Sequence, residues 1–191
     1  VDNSPKLSVP KIEIFDELLG LWKRVQKTPM PYLHIVGHEV STPIDSLKKQ
    51  VSDSKNLTLG EDVCFTSKTI DDPKYYLSRA SLGVVCSLGS EEICRVSQEF
   101  LSCGTPLFVS GVGALDECLF TPDAGRSYRN LGRQDTVESL MDLILKSQME
   151  SVEERLNRSE QARNRFCLEK MGAQLESHIL SPTRGLKEIT L

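Results

Sequence analysis

The sequence predicts an α/β protein: a doubly wound, Rossmann-like parallel sheet with helices on both faces, followed by a long C-terminal helix. The main observation is that short apolar runs bounded by Gly or Pro alternate with segments whose apolar residues recur at helical spacing. In addition, runs such as residues 82–87 are almost continuously apolar, which is typical of strands buried on both faces.

The N-terminal third begins with a predicted helix over residues 10–27, because its apolar side chains, Trp22 among them, follow helical spacing until Pro29. We expect Trp22 in the core. Residues 32–37 predict a buried strand that ends at Gly37, and residues 43–53 predict a polar helix. A short strand at 56–59, an extended segment at 63–67 and a short helix at 74–79 come next.

The central segment predicts one βαβ unit. A strand at 82–87 leads into a helix over 91–103, which Gly104-Thr105-Pro106 ends before a second strand at 106–110. Residues 125–128 predict an edge strand and residues 135–145 a helix with one apolar face. The charged residues 149–177 predict a long surface helix.

Composition excludes several classes of protein. The net charge is −4 and no Lys/Arg-dense stripe is present, which argues against nucleic acid as a partner. The longest apolar run is far shorter than a membrane span, and the N-terminus lacks the layout of a signal peptide. The six cysteines form no CxxC pair, so we expect reduced, mostly buried thiols of a cytoplasmic protein.

An acidic segment lies where the strand at 82–87 gives way to the next helix. Glu91 and Glu99 stand eight residues apart across the predicted helix start. Ligands of parallel α/β units bind beyond the carboxyl ends of strands, where helix N-termini offer free N–H groups to phosphates and hydroxyls. The alternative is that Glu91 is an ordinary carboxylate stabilised by the helix dipole and Glu99 a solvated helix residue.

The order of landmarks over residues 32–145 resembles the C-terminal, donor-binding half of a GT-B glycosyltransferase of retaining family four, the glycosyl transferases group 1. That family carries a Glu-x7-Glu motif, a Gly-x-Pro turn, a strand, a glycine loop and a further Glu. The matching residues here are Glu91, Glu99, Gly104-Thr105-Pro106, residues 107–110, Gly113 and Glu117.

The resemblance implies a role for each residue of the motif. Glu99 would bind the ribose hydroxyls of a nucleotide sugar, since a carboxylate accepts two such hydrogen bonds well. Glu91 would contact the transferred sugar. The backbone N–H groups of Ile93, Cys94 and Arg95 would meet the sugar and the diphosphate at the positive end of the helix.

Further donor-site residues are implied by their position in the family pattern. Val63 and Cys64 would follow the strand at 56–59 and contact the base. Gly37, at the carboxyl end of the strand at 32–37, is assigned to the same site. Lys6 corresponds to the family's lysine for the diphosphate, whereas the family's preceding strand with its Arg is missing. The Phe-Gly pair of the family is replaced by Ile93-Cys94.

The resemblance also implies a domain organisation: residues 1–180 form the nucleotide-sugar domain, residues 181–191 a tail, and the N-terminal acceptor domain is absent from this chain. We expect a hexosyltransferase-type domain that is inactive alone. The full enzyme would transfer sugar from a UDP- or GDP-sugar to a glycan or lipid-linked acceptor, with retention and without a metal or cofactor. Such enzymes act in the cytoplasmic steps of cell-surface polysaccharide or lipopolysaccharide biosynthesis, and the pattern allows peripheral association with the inner face of the membrane.

Other function classes stay open. A doubly wound domain can also be a receiver-like or interaction module, or an inactive nucleotide-binding domain. Binding of UDP or GDP that is lost on Glu99→Ala would distinguish the transferase from these. A dehydrogenase is disfavoured because no GxGxxG follows the first strand. A metal-dependent transferase is disfavoured because no DxD motif precedes a ligand-rich loop.

Overall fold

Helices and strands alternate along the chain, as the sequence predicts. The structure is a computed structural model that describes residues 11–26, 29–36, 44–66, 73–87, 89 and 94–180. Its helices are α1 (Lys11–Arg24), α2 (Ile44–Ser52), α3 (Lys74–Arg79), α4 (Arg95–Ser102), α5 (Arg133–Met149), α6 (Val152–Arg165) and α7 (Leu168–Leu180). Its strands are β1 (Leu33–Val36), β2 (Val63–Thr66), β3 (Gly83–Val85), β4 (Leu107–Val109) and β5 (Gly125–Ser127). A 3₁₀ helix, Leu115–Cys118, lies between β4 and β5.

The strands form two hydrogen-bonded groups, β1-β2 and β3-β4-β5, and each pairing in them is parallel. In the second group Leu107 of β4 pairs with Gly83 on one side and with Gly125 on the other. β5 ends this group, which confirms the predicted edge strand. Because the three strands run in the same direction, their carboxyl ends lie along one edge of the sheet, named here the carboxyl edge.

β4 contributes to a hydrophobic core on each face of the sheet. Phe108 packs in a core that includes Trp22 of α1 and residues of α5. Leu107 and Val109 pack in a second core with Leu101 of α4 and a residue of α6. Successive strand residues point to opposite faces. Helices therefore cover both faces of this sheet, and the doubly wound α/β architecture is confirmed.

Helix α1 forms much of the first core. Leu18, Leu19 and Trp22 are fully buried, which confirms the expectation for Trp22. The helix ends at Arg24, so Val25 lies beyond it and stays 45% exposed. On the outer side, the guanidinium of Arg133 in α5 bonds two carboxylates of α1, those of Glu13 and Glu17.

The predicted strand at 56–59 is wrong, because residues 58–63 fold into a turn. The backbone N–H of Thr58 donates to the Asp62 carboxylate over 2.8 Å, and the Asp62 N–H donates back to the Thr58 carbonyl over 2.9 Å. Gly60 takes a φ of +90°, which favours glycine. A single bridge between Leu59 and Val63 is the only strand-like contact in this described segment.

Two predicted helices have different bounds in the structure. The predicted helix over 91–103 begins only at Arg95, because Cys94 has an extended backbone. The charged C-terminal segment is helical as expected, but it consists of α6 and α7. Ser151 starts α6 with a capping box, in which its hydroxyl accepts from the Glu154 N–H and the Glu154 carboxylate accepts from the Ser151 N–H. Residues 166–167 then separate α6 from α7.

All six cysteines are free thiols, and Cys94 and Cys118 are buried. The other four are only half-buried, so the expectation that most would be buried is wrong. Among the described helices, none combines the length and the apolarity that crossing a membrane requires.

Candidate functional site

The carboxyl edge is held in register by hydrogen bonds just past the strands. The N–H of Ser110 donates to the Val85 carbonyl over 3.0 Å, and the N–H of Tyr128 donates to the Val109 carbonyl over 2.9 Å. The Ser110 hydroxyl also donates to the Ser87 carbonyl over 2.8 Å. The chain segments that leave β3, β4 and β5 therefore emerge side by side.

Helix α4 begins beyond this edge. Cys94 precedes it, and the Cys94 side chain accepts no hydrogen bond from the first turn. The first N–H groups of a helix lack partners within the helix and carry its positive dipole end. Arg95 and Val96 are exposed on this turn, whereas Ser97 is fully buried and its hydroxyl has no hydrogen-bond partner in the described part of the chain. The turn thus offers N–H groups and one cation to a ligand.

Glu99 lies in the middle of α4 with its side chain exposed. Its charge acts on the thiol of Cys103, one turn further along the helix, as do the charges of Lys74 and Arg163. Burial is the main cause that raises the pKa of Cys103, and the carboxylate adds to it while the cations oppose it. Glu99 is therefore an accessible carboxylate on the same helix as Cys103.

The phenol of Tyr128 is a polar group that lies beneath the carboxyl edge. Burial, followed by the proximity of the Cys86 thiol, raises the pKa of Tyr128 well above its usual range, and a hydrogen bond with Ser110 opposes the shift. The ring packs against Phe108, with centroids 5.0 Å apart. Tyr128 is therefore a neutral hydrogen-bonding group that ties the ends of the three strands together.

The structure places only some of the predicted site residues. Cys94 and Arg95 lie at the start of α4, and Glu99 lies about one turn further along the same helix. Lys6, Gly37, Glu91 and Ile93 lie outside the described residues, so their roles stay predictions.

Val63 and Cys64 are not where the sequence analysis expected them. They do not follow a strand; they begin β2, and Thr66 occupies its carboxyl end. Val63 is fully buried in the core, and the Cys64 thiol is hydrogen-bonded to Tyr32, which is the main cause that raises the pKa of that phenol. Because ligands of parallel sheets bind at carboxyl ends, this position does not support the predicted base contact.

Sequence reasoning missed Asp116, Tyr128 and Arg129. Each lies within three residues of a strand end or of the glycine loop, and that placement was the signal that could have found them. In the described part of the chain, no group of three His, Cys, Asp or Glu side chains is arranged to hold a metal ion.

The carboxyl edge lies in the part of the chain that matches a known protein family. The profile of the family described as "Glycosyl transferases group 1" matches residues 7–146, which is well over half of the 191 residues. The chain belongs to the glycosyl transferases group 1 family. The region matched to glycosyl transferases group 1 runs from α1 through β5 and includes most of α5, and with them the whole carboxyl edge.

A solved structure supports the fold of this glycosyl transferases group 1 chain. The chain is similar to the Anabaena protein Alr3699/HepE, solved in complex with UDP-glucose, with a TM-score of 0.63 and 17% sequence identity. The match covers 89% of this chain and 45% of that protein, so the chain spans about half its length. At this identity the likeness shows the fold alone, one half of a GT-B fold. No curated protein matches the sequence.

Proposed function

We propose that this chain is the donor-binding half of a glycosyltransferase and binds a nucleotide-diphosphate sugar at its carboxyl edge. The observation that carries the proposal is the position of α4. It begins beyond the ends of β3 and β4, inside the region that matches the family, with Cys94 leaving the first turn uncapped. Such a helix start is a suitable site for a diphosphate.

Glu99 is the residue that we assign to the ribose. Its carboxylate is exposed on α4 and offers two oxygens to a pair of neighbouring hydroxyls. The N–H groups of Cys94 and Arg95 would bind the diphosphate, and the Arg95 guanidinium would add charge to them. Glu91 and Ile93, which precede this turn in the sequence, remain assigned to the transferred sugar.

The donor that we propose to test first is UDP-glucose, because the structurally similar HepE was solved with it. GDP-sugars are the alternative donors. A glycan or lipid-linked acceptor would bind mainly through a second domain, of the kind that makes up the rest of a GT-B enzyme. We assign the reaction to the cytoplasmic steps of surface polysaccharide synthesis.

The proposed reaction is retaining and metal-independent. The acceptor hydroxyl attacks the anomeric carbon on the face that the nucleotide leaves, and the bond to the diphosphate oxygen breaks. The departing diphosphate takes both electrons of that bond, and the hydroxyl proton passes to it. The contribution of this chain is to hold and stabilise the leaving diphosphate with helix N–H groups and cations.

Titration of the 191-residue chain with UDP, GDP, UDP-glucose and GDP-mannose, followed by NMR or calorimetry, tests the proposal. We expect binding of at least one nucleotide, weakened about tenfold by Glu99→Gln, which removes a charged acceptor. Glu138→Gln, an exposed carboxylate of α5, is the matched control and should bind as the unchanged chain does. If the folded chain binds none of the four ligands at millimolar concentration, the interaction-module alternative is favoured instead.

A further inference from the structure

Three side chains converge on Gly111, the second residue after β4. Gly111 has a φ of +71°, and a Cβ placed there would lie 2.5 Å from the Ser127 hydroxyl oxygen, 2.6 Å from the Arg129 Cβ and 2.7 Å from Asp116 Oδ1. Only glycine leaves space for all three side chains. The convergence brings together the end of β4, the end of β5 and the 3₁₀ helix Leu115–Cys118 at the carboxyl edge.

The backbone of Arg129 is fixed at this point. Its N–H donates to the Ser127 hydroxyl over 3.1 Å, so the residue leaves β5 in a defined direction. Its side chain is 59% exposed. The guanidinium therefore lies at the carboxyl edge with most of its surface in solvent.

The Asp116 carboxylate lies near the Arg129 guanidinium but does not form a close hydrogen bond with it. Arg129 Nη1 lies 3.5 Å from Asp116 Oδ2, which is longer than an ordinary N–H···O hydrogen bond. The other oxygen, Oδ1, is buried and has no hydrogen-bond partner among the described residues. A carboxylate with an unsatisfied buried oxygen needs a nearby cation. Arg129 is thus kept close, and within the described part of the chain Asp116 is the one charged partner that its five N–H donors have.

We propose that Arg129 is a diphosphate-binding residue of the donor site and that Asp116 is its positioning residue. A guanidinium binds two phosphate oxygens through parallel N–H groups, so it suits a diphosphate better than a neutral sugar. Arg129 follows β5, whereas the exposed Arg95 begins α4. Together they would supply positive charge from two elements of the same edge.

This proposal rests on the proposed function, and the experiment separates the two. UDP and uridine are titrated into the 191-residue chain and into its Arg129→Gln, Arg129→Lys, Asp116→Asn and Asp116→Glu variants. We expect Arg129→Gln to weaken UDP about tenfold and to leave uridine unchanged, because only UDP carries the diphosphate. Arg129→Lys should weaken UDP binding less than Arg129→Gln does. Asp116→Asn should weaken UDP binding by a smaller factor than Arg129→Gln does. Asp116→Glu should weaken it less than Asp116→Asn.

Arg126→Gln is the matched control, since Arg126 lies in β5 three residues before Arg129 and is also ion-paired, but with Asp142 of α5. It should bind UDP as the unchanged chain does. Equal weakening of UDP and uridine by Arg129→Gln, or no weakening of UDP, would overturn the role of Arg129 while leaving nucleotide binding intact. If the unchanged chain binds GDP rather than UDP, GDP and guanosine replace UDP and uridine with the same expected outcomes. If it binds neither nucleotide and neither nucleotide sugar, the proposed function itself fails, and this inference fails with it.

Discussion

The guanidinium of Arg158 donates from Nη1 to the carbonyl oxygen of Gly104 over 2.7 Å. Arg158 is only 1% exposed; it also pairs with the Glu150 carboxylate and donates to the Asp123 carbonyl over 2.6 Å. Helix α6 therefore contacts the turn that ends α4. The orientation of the proposed donor helix depends on a residue some sixty positions later in the sequence.

Replacing Arg158 with Met should destabilise the fold by about 3 kcal/mol, because the Glu150 carboxylate and the Gly104 carbonyl lose their buried partner. Chemical denaturation, followed by circular dichroism, measures the change. Arg165→Met, an exposed residue of the same helix, is the control and should change stability by less than about 0.5 kcal/mol. Equal effects of the two substitutions would mean that the buried pair is not important.

Gly104→Ala should destabilise the fold much more than Gly60→Ala does. Both glycines have positive φ, +76° and +90°, so each substitution costs about 1 kcal/mol in backbone strain. A Cβ at Gly104 would also lie 2.4 Å from the Arg155 carbonyl oxygen, whereas nothing lies within 4 Å at Gly60. We expect Gly104→Ala to cost about 2 kcal/mol more than Gly60→Ala. Thermal and urea denaturation of both variants would show whether the two losses differ.

Thr105 makes a buried hydrogen bond that can be tested by isosteric replacement. Its hydroxyl donates to the Leu77 carbonyl over 2.7 Å and accepts from Arg155 Nη2 over 3.1 Å. Thr105→Val keeps the shape but removes the donor to the Leu77 carbonyl, and should cost about 2 kcal/mol. Arg155 Nη2 keeps the Ser78 and Ala80 carbonyls as acceptors. Thr105→Ser keeps the hydroxyl and loses one methyl group, about 1 kcal/mol. A larger loss for Ser than for Val in urea denaturation would show that packing outweighs the hydrogen bond.

The capping box of α6 predicts a loss of stability in acid. The Ser151 backbone N–H, and then its hydroxyl, donate to the Glu154 carboxylate and lower its pKa below the ordinary value of 4.5. The stabilisation is complete above the unfolded-state pKa and is lost as pH falls through the lower folded-state pKa. Urea denaturation between pH 7 and pH 3 should show a smaller acid loss for Glu154→Gln than for Glu160→Gln, an exposed carboxylate of the same helix. Identical profiles would contradict this assignment.

Local sequence patterns predicted two kinds of helix or strand: those whose contacts lie close in the sequence, and those that are fixed by burial of apolar side chains. The spacing around Trp22 predicted α1, and the run at 82–87 predicted β3, because burial of apolar side chains fixes both. Residues 56–59 look like a strand, but the Asp62 carboxylate bonds the Thr58 N–H, and that contact folds the segment into a turn. Side-chain bonds of this kind compete with a strand without altering the apolar pattern.

The resemblance to the family's Glu-x7-Glu motif pointed to Glu99, Cys94 and Arg95, which lie on or directly before α4, and their binding roles stay predictions. The proximity of Asp116 and Arg129 was not predicted, because it depends on how β4 and β5 pair. Arg158 belongs to a charged segment expected on the surface, and its burial is explained by its bonds to the Gly104 and Asp123 carbonyls and to the Glu150 carboxylate.

Helix α6 also determines how much of the chain must be kept for the domain to fold. Its side chains bond carbonyl oxygens at the ends of two other helices: Arg155 bonds that of Ser78 in α3, and Ser159 that of Ser102 in α4. A version of the chain shortened to end after α5 would leave these carbonyls, and one face of the second core, open to water. The shortest stable form of this domain therefore extends at least to residue 165, past the last strand and past every residue assigned to the donor.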